Sequence, residues 1–171
     1  MKKKNSAEHV LAPVDFSNSS VRALRHAADL AAKSDGFLTI VYVVPADYGW
    51  LGIGREQGEK FDKSLQRRAA GRLRKLAATN VPERVETLFE VRIGRPAEEI
   101  VAAANESKCD LIVMSTRGHT GLDRYFIGSV ADRVLRLAPC PVFLMRPGKS
   151  TRGRKKIRPS VLRFKHKANA R

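Results

Sequence analysis

Cysteine is nearly absent from this chain, and its scarcity removes two architectures at once. Cys109 and Cys140 are the only two in 171 residues. They stand far apart without companion ligands, so neither a zinc site nor a disulfide framework can be built from them. Both are expected to stay reduced, an inert pair being favoured over a regulatory disulfide. Long apolar runs are lacking too. No stretch approaches the ~20 residues that a membrane-spanning helix requires, and the opening MKKKNSAEHV has no apolar core of a secretory signal. The expectation is a cytoplasmic protein with no transmembrane segment. A catalytic constellation is also missing. His9, His26, His119 and His166 are scattered, no HExxH pair occurs, and no Ser, His and Asp fall in a supported order. Neither a metal centre nor an enzyme active site is expected.

What the chain has in excess is positive charge, a formal +16. It is unevenly placed. Residues 147–171 carry ten Lys or Arg and no acid; setting these and Lys2, Lys3 and Lys4 aside leaves 20 basic residues against all 17 acids. The middle of the chain is therefore nearly balanced. This divides the chain into a basic N-terminal extension (1–8), a single domain (9–146) and a basic C-terminal tail (147–171). Ten charges broken by Pro147, Gly148, Gly153 and Pro159 cannot bury enough apolar surface to fold alone, so the tail is expected to be disordered. It reads equally as a solvated extension and as an arm for polyanions: RNA, DNA or an anionic membrane surface. Nucleic acid is favoured among these, because Val161, Leu162 and Phe164 are too few for stable membrane insertion.

Between the tails, strand and helix patterns alternate. VLAPV (10–14) is a short apolar run, followed by the cap-forming cluster DFSNSS and by Val21, Leu24, Ala28 and Ala31 at helical spacing. FLTIVYVV (37–44) is continuously apolar and rich in β-branched residues, as a strand buried on both faces should be. A glycine-containing loop through Gly58 and a charged helix from about Glu59 to Thr79 follow, then VETLFEV (85–91), whose alternation suits an edge strand. RIGRP breaks the chain before a helix over 97–107, a strand at 110–114, a glycine-rich segment, a helix over 128–137 and a last strand at 141–145. Alternation of this kind predicts an α/β fold: an open five-stranded parallel sheet with helices on both faces, Rossmann-like. Ligands of such sheets bind outside the carboxyl ends of the strands where the winding reverses. The turns after Val14 and Met114 lie at that end.

The glycine-rich segment STRGHTGLDRYFIGSVADRV (115–134) is the most informative stretch. Ser129 with Asp132 resembles a capping box, so Gly128, Ser129 and Val130 present helix N-terminal amides toward the reversal point. Free donors and the helix dipole favour phosphate there, and Gly118 would let the preceding loop close around it. From spacing alone, a plain helix cap stands level with a phosphate site. Arg117, His119 and Arg124 could add charge, although loop arginines are more often simply solvated. Two stretches only mimic nucleotide motifs. GIGREQG (52–58) follows no tight strand-to-helix turn and reads as a loop, and GKST (148–151) opens the tail.

VLAPVDFSNSS, IGRPAEEIVAAANESKCDLIVMSTRG and GHTGLDRYFIGSVADRVLRLAPCPVFLMR together resemble the universal stress proteins, over about Val10 to Arg146. The resemblance implies the adenine nucleotide alpha hydrolase-like version of the fold and a stress-response regulator that binds ATP, with or without magnesium, or a related adenine nucleotide. Nucleotide-binding members carry a glycine, two residues, a glycine, nine residues and then Gly-Ser or Gly-Thr. Gly118 and Gly128-Ser129 fit that pattern, and Ser115 stands where it has its first glycine. By the same resemblance Asp15 would hydrogen-bond the adenine side, Pro13, Val14 and Val43 would line the base pocket, and Met114 would flank the base. For the apolar ones, membership of the sheet core is an equally natural role, and for Asp15 the alternative is capping the helix near Ser17. Family dimers join through the last strand, which implies a homodimer here through Val142 to Met145. ATP hydrolysis would at most be slow. Members without the full glycine pattern include ones that bind no ATP, which keeps a second reading open: a nucleotide-independent homodimeric interaction module.

Overall fold

The computed structural model describes residues 8–45, 55–116 and 127–146, with side chains of the second helix described from Ser64 onward. The N-terminal extension up to residue 7, Gly118, Arg117, His119, Arg124 and the basic tail lie outside the described residues. The elements are β1 (His9–Pro13), α1 (Asn18–Lys33), β2 (Phe37–Pro45), α2 (Arg55–Asn80), β3 (Thr87–Gly94), α3 (Pro96–Ser107), β4 (Leu111–Ser115), α4 (Ser129–Leu137) and β5 (Val142–Met145). The sheet has five strands in the order β3-β2-β1-β4-β5, and every neighbouring pair is parallel. This is the α/β architecture that the alternating pattern predicts. Both expected edge strands, β3 and β5, are edges.

Side-chain alternation along the strands divides the core in two. Val10, Ala12, Leu38, Ile40 and Val113 face α1 and α2, where they meet Ala23, Leu24, Ala27, Ala28, Leu73 and Ala77. Leu11, Val41, Ile112 and Met114 face the other way, onto Ile100, Ala103 and Ala104 of α3 and Ala131 and Val134 of α4. Every residue of β1 is buried, as a central parallel strand covered on both faces must be. Fully burying each Leu or Ile contributes on the order of 1.5–3 kcal/mol, so the two apolar layers dominate what holds the sheet.

Several element ends shift by a single residue, and three differences from the sequence reading are more than that. α2 begins at Arg55, four residues before the expected start, so Gly58 and the end of GIGREQG belong to a helix and not to a loop. β3 runs over Thr87–Gly94 instead of 85–91: its apolar residues start earlier, but pairing with β2 starts at Leu38 beside Thr87 and carries on to Pro45 beside Gly94. Gly94 has φ 150°, which few side chains adopt, and it ends the strand before Pro96 opens α3. The third concerns α4. Its N-cap is Gly128, with no side-chain cap, and Asp132 pairs with Arg136 at 3.1 Å instead of reaching back to the cap. The capping-box reading of Ser129 and Asp132 is therefore wrong, because Ser129 already lies inside the helix.

At the amino ends of the strands, His9 is buried and stacked on Phe37, ring centroids 4.0 Å apart. Its Nδ1 lies 3.2 Å from the Ser107 carbonyl, which can only accept, so the proton sits on Nδ1; Nε2, 2.8 Å from the Thr39 hydroxyl, then accepts. Burial lowers its pKa, opposed by the Ser107 carbonyl and by the charges of Asp110 and Glu90. A lowered value in the folded state means that the unfolded chain binds the proton first, near pH 6.5. Stability is thus held above that pH and falls as pH drops through it toward the folded value. Between pH 8 and 5.5 the melting temperature is expected to fall more in the wild type than in His9→Gln; equal falls in a thermal melt would exclude this origin.

Candidate functional site

The sheet winds outward from β1 to β2 and β3, then returns past β1 to β4 and β5. Chain leaving β1 and chain leaving β4 therefore diverge to opposite faces, and a crevice opens between their carboxyl ends. A cavity of about 430 Å³ occupies it, within the range of small-ligand sites. Pro13, Val14, Asp15, Val43, Met114, Ser115, Gly128, Ser129 and Val130 all line this cavity. So nine of the ten residues singled out in the sequence surround one space, and the tenth, Gly118, lies outside the described residues.

Each wall has a local cause. β1 ends at Pro13, and the chain turns at Phe16, whose φ of 64° is a left-handed conformation unusual for a bulky residue. Such backbone costs roughly 1–2 kcal/mol, and the turn is held by neighbours. Ser17 caps α1 by accepting from the Ser20 amide at 3.2 Å, while the Asp15 carboxylate accepts from the Ser17 amide at 3.0 Å and its hydroxyl at 2.6 Å. Asp15 thus does not cap α1 itself but supports the Ser17 cap through Oδ1, and it also lines the cavity.

The opposite wall hangs on Thr116. Its amide donates to the Met145 carbonyl at 2.9 Å, and its own carbonyl accepts from the Gly128 amide at 2.8 Å. One buried residue thereby ties the end of β4 to the end of β5 and to the start of α4. Gly128 has φ −61° and ψ 149°, a backbone open to any residue. The missing side chain is therefore not demanded by the turn, and Gly128 lines the cavity wall. Beyond it, Ser129, Val130 and Ala131 carry the first-turn amides, with the positive end of the helix dipole behind them. Ser115 is buried in β4 and is not among the residues with positive φ, so a side chain there is unstrained.

Sequence reasoning missed the cavity's outer rim. The Phe16 ring packs on Tyr42, centroids 4.7 Å apart, and the Arg72 guanidinium lies 3.8 Å above the Phe16 centroid. Asp15 and Arg72 are the charged side chains among the described lining residues. No local signal could place Arg72 here, since it comes from the middle of α2, 56 positions after Phe16 in the chain. Among the described residues, no group of three or more His, Cys, Asp or Glu is placed to hold a metal ion, and no helix is long and apolar enough to cross a membrane.

A family model described as "Universal stress protein family" matches residues 7–146. The chain belongs to that family. A universal stress protein of Methanocaldococcus jannaschii is 35% identical over 147 residues, covering 85% of this chain and 86% of that one. Among solved structures, a universal stress protein in complex with cAMP matches 82% of this chain and 98% of its own with a TM-score of 0.56 at 24% identity. Another, from Archaeoglobus fulgidus in complex with dAMP, matches 81% and 96% with a TM-score of 0.52, also at 24% identity. These two likenesses are of fold.

The conformation of Ser115 generates a prediction. Where the family's nucleotide-binding pattern has glycine, this backbone needs none, so Ser115→Gly relieves no strain and adds chain entropy to the unfolded state. It is expected to lower unfolding free energy by about 0.5–1 kcal/mol; a stabilised variant in urea titration would show that the serine is strained after all.

Proposed function

We propose that this universal stress protein binds an adenine nucleotide, ATP foremost, in the cavity between β1 and β4, and that the bound nucleotide regulates its contacts in a stress response. The observation that carries the reading is the start of α4. Its first-turn amides border the cavity, its cap has no side chain, and the wall facing it is apolar with one carboxylate. A polyanion on an apolar ring system matches this distribution of donors and surface. The phosphates would be held by the amides of Ser129 and Val130; the Gly128 amide, expected from the sequence to join them, is already donated to the Thr116 carbonyl, and Arg72 supplies positive charge at the rim. Val14, Val43 and Met114 would hold the base, with Pro13 and Ser115 closing the space around it. Asp15 accepts from hydroxyl or amino donors only, which suits the nucleoside end and repels phosphate from it. Magnesium would come bound to the phosphates, since the described residues offer no metal cluster of their own. Family members of this fold solved with cAMP and dAMP support an adenine nucleotide in general, and the triphosphate is the finer part of the proposal.

Gly128→Val tests it. Valine adopts the observed backbone readily, so the chain should fold, while the branched side chain fills the wall beside the amides. ATP affinity by isothermal titration is expected to fall tenfold or more, about 1.4 kcal/mol; unchanged affinity would remove the phosphate from this helix end.

A second reading, a homodimeric interaction module, is favoured by the edge at β5. Phe143 on that strand is 45% exposed and stacked on His26 of α1 at 5.1 Å, and Leu135 and Leu137 of α4, which covers the other face, are 47% and 50% exposed. A four-residue edge strand flanked by apolar side chains is a pairing surface. A two-fold dimer through Val142 to Met145 is compatible with nucleotide binding. Light scattering should give a dimer at micromolar concentration and a monomer for Phe143→Lys; a monomeric wild type would set this reading aside.

A further inference from the structure

Cys109 stands just before β4 and Cys140 just before β5. Parallel pairing of these strands, with Ile112 beside Val142, brings the two thiols together at the end of the sheet away from the cavity. Their Sγ atoms are 3.5 Å apart, and both are free. Adjacent strands are spaced about 4.8 Å, inside the Cα separation of about 4.4–6.8 Å that a disulfide spans. The bond itself is about 2.05 Å, so closure asks for side-chain rotation and not for a new strand arrangement. Packing alone does not call for two sulfurs. Cys109 fills a place in the α3 and α4 core layer with Cys140 against it, where any small apolar side chain would serve.

The two differ in accessibility. Cys109 is buried and Cys140 half-exposed. Burial, reinforced by the Cys140 sulfur, pushes the Cys109 thiol up to about 12. An oxidant in solution therefore meets Cys140, and Cys109 is the partner waiting behind it.

We propose that Cys109 and Cys140 form a reversible oxidation site that closes to an intramolecular disulfide when the protein meets a peroxide. In the first step the Cys140 thiolate attacks one peroxide oxygen. The O–O bond breaks, Cys140 becomes a sulfenic acid, and the displaced hydroxide takes up from solvent the proton that the thiol released on ionising, leaving as water. In the second, the Cys109 sulfur attacks the Cys140 sulfur. The S–O bond breaks, and hydroxide leaves with the Cys109 proton as a second water. Two thiols lose two electrons and one peroxide becomes two waters. The short sulfur separation favours this closure over further oxidation of Cys140 to sulfinic acid, and exchange with an excess of small thiol restores both cysteines. Because burial holds the Cys109 thiol protonated, the closing step is slow and the site is a slow responder compared with a peroxidase cysteine.

The test uses the full chain treated with hydrogen peroxide, quenched with an alkylating reagent and digested with trypsin without reduction. Cleavage after Lys108, Arg117, Arg136 and Lys149 separates the cysteines, so a disulfide joins peptide 109–117 to peptide 137–149. The expected result is that linked pair from monomeric protein, loss of both titratable thiols together, and recovery of both with dithiothreitol. Cys140→Ser, at the half-exposed position, should leave Cys109 unreacted at the same peroxide dose. The proposal is overturned if both thiols still alkylate after peroxide, if the disulfide joins two chains, or if Cys140 reaches sulfinic acid while Cys109 stays free.

Discussion

The pairing of β1 with β4 is the contact on which the rest of the molecule depends. It sets Val10 beside Leu111 and Leu11 beside Ile112, joining the first half of the chain to the second and reversing the direction in which the sheet grows. Both strands are buried, so the pairing is held by apolar layers on two faces as well as by its hydrogen bonds. If β4 had followed β3 on the outer edge, the connections leaving β1 and β4 would not diverge next to each other. No crevice would open at Val14 and Ser115. The cavity is thus a consequence of strand order, and its chemistry is what particular residues add to it.

Those additions are small in number and physically distinct. Val14, Val43 and Met114 stand near the carboxyl ends of buried strands, so their apolar character serves the core and the cavity wall at once. Asp15 and Ser17 hold a left-handed turn at Phe16 that no glycine relieves. Non-glycine residues in that conformation persist where the surroundings over-determine them, and here the ring is clamped between Tyr42 and Arg72. The glycine at position 128 differs: its backbone is ordinary, and it lines the cavity at the start of α4.

Much of this was legible in the sequence because its causes are local. Continuous β-branched runs gave the central strands, and helical spacing of alanines gave α1, since in both cases burial pattern and intrinsic preference agree. Gly128 and Ser129 could be placed at a helix start from their neighbours alone. What was illegible depends on tertiary packing. The register of β3 follows its pairing with β2 and not its own hydrophobicity, the start of α2 carries no cap signal strong enough to outweigh Gly58, and Arg72 reaches the rim from a distant helix. The absence of a capping box at Asp132 is a similar case, because Arg136 one turn on competes for the same carboxylate.

Thr116 connects the two readings of function. A ligand that draws on the amides following Gly128 pulls on a turn whose first hydrogen bond goes to the Thr116 carbonyl, and the Thr116 amide is bonded to Met145, the last residue of the edge strand. Between a phosphate at the start of α4 and a second chain at β5 there are then two backbone hydrogen bonds and one buried side chain. A shift of α4 would reach Met145 through them, and pairing at the edge would fix Met145 and with it the position of Gly128. Coupling of this kind is reciprocal by thermodynamic necessity: if dimer formation through β5 orders the turn, nucleotide must bind the dimer more tightly than the monomer by the same factor that it strengthens the dimer. If this chain both binds nucleotide and pairs through β5, the two would then be sides of one equilibrium and not competing accounts of it.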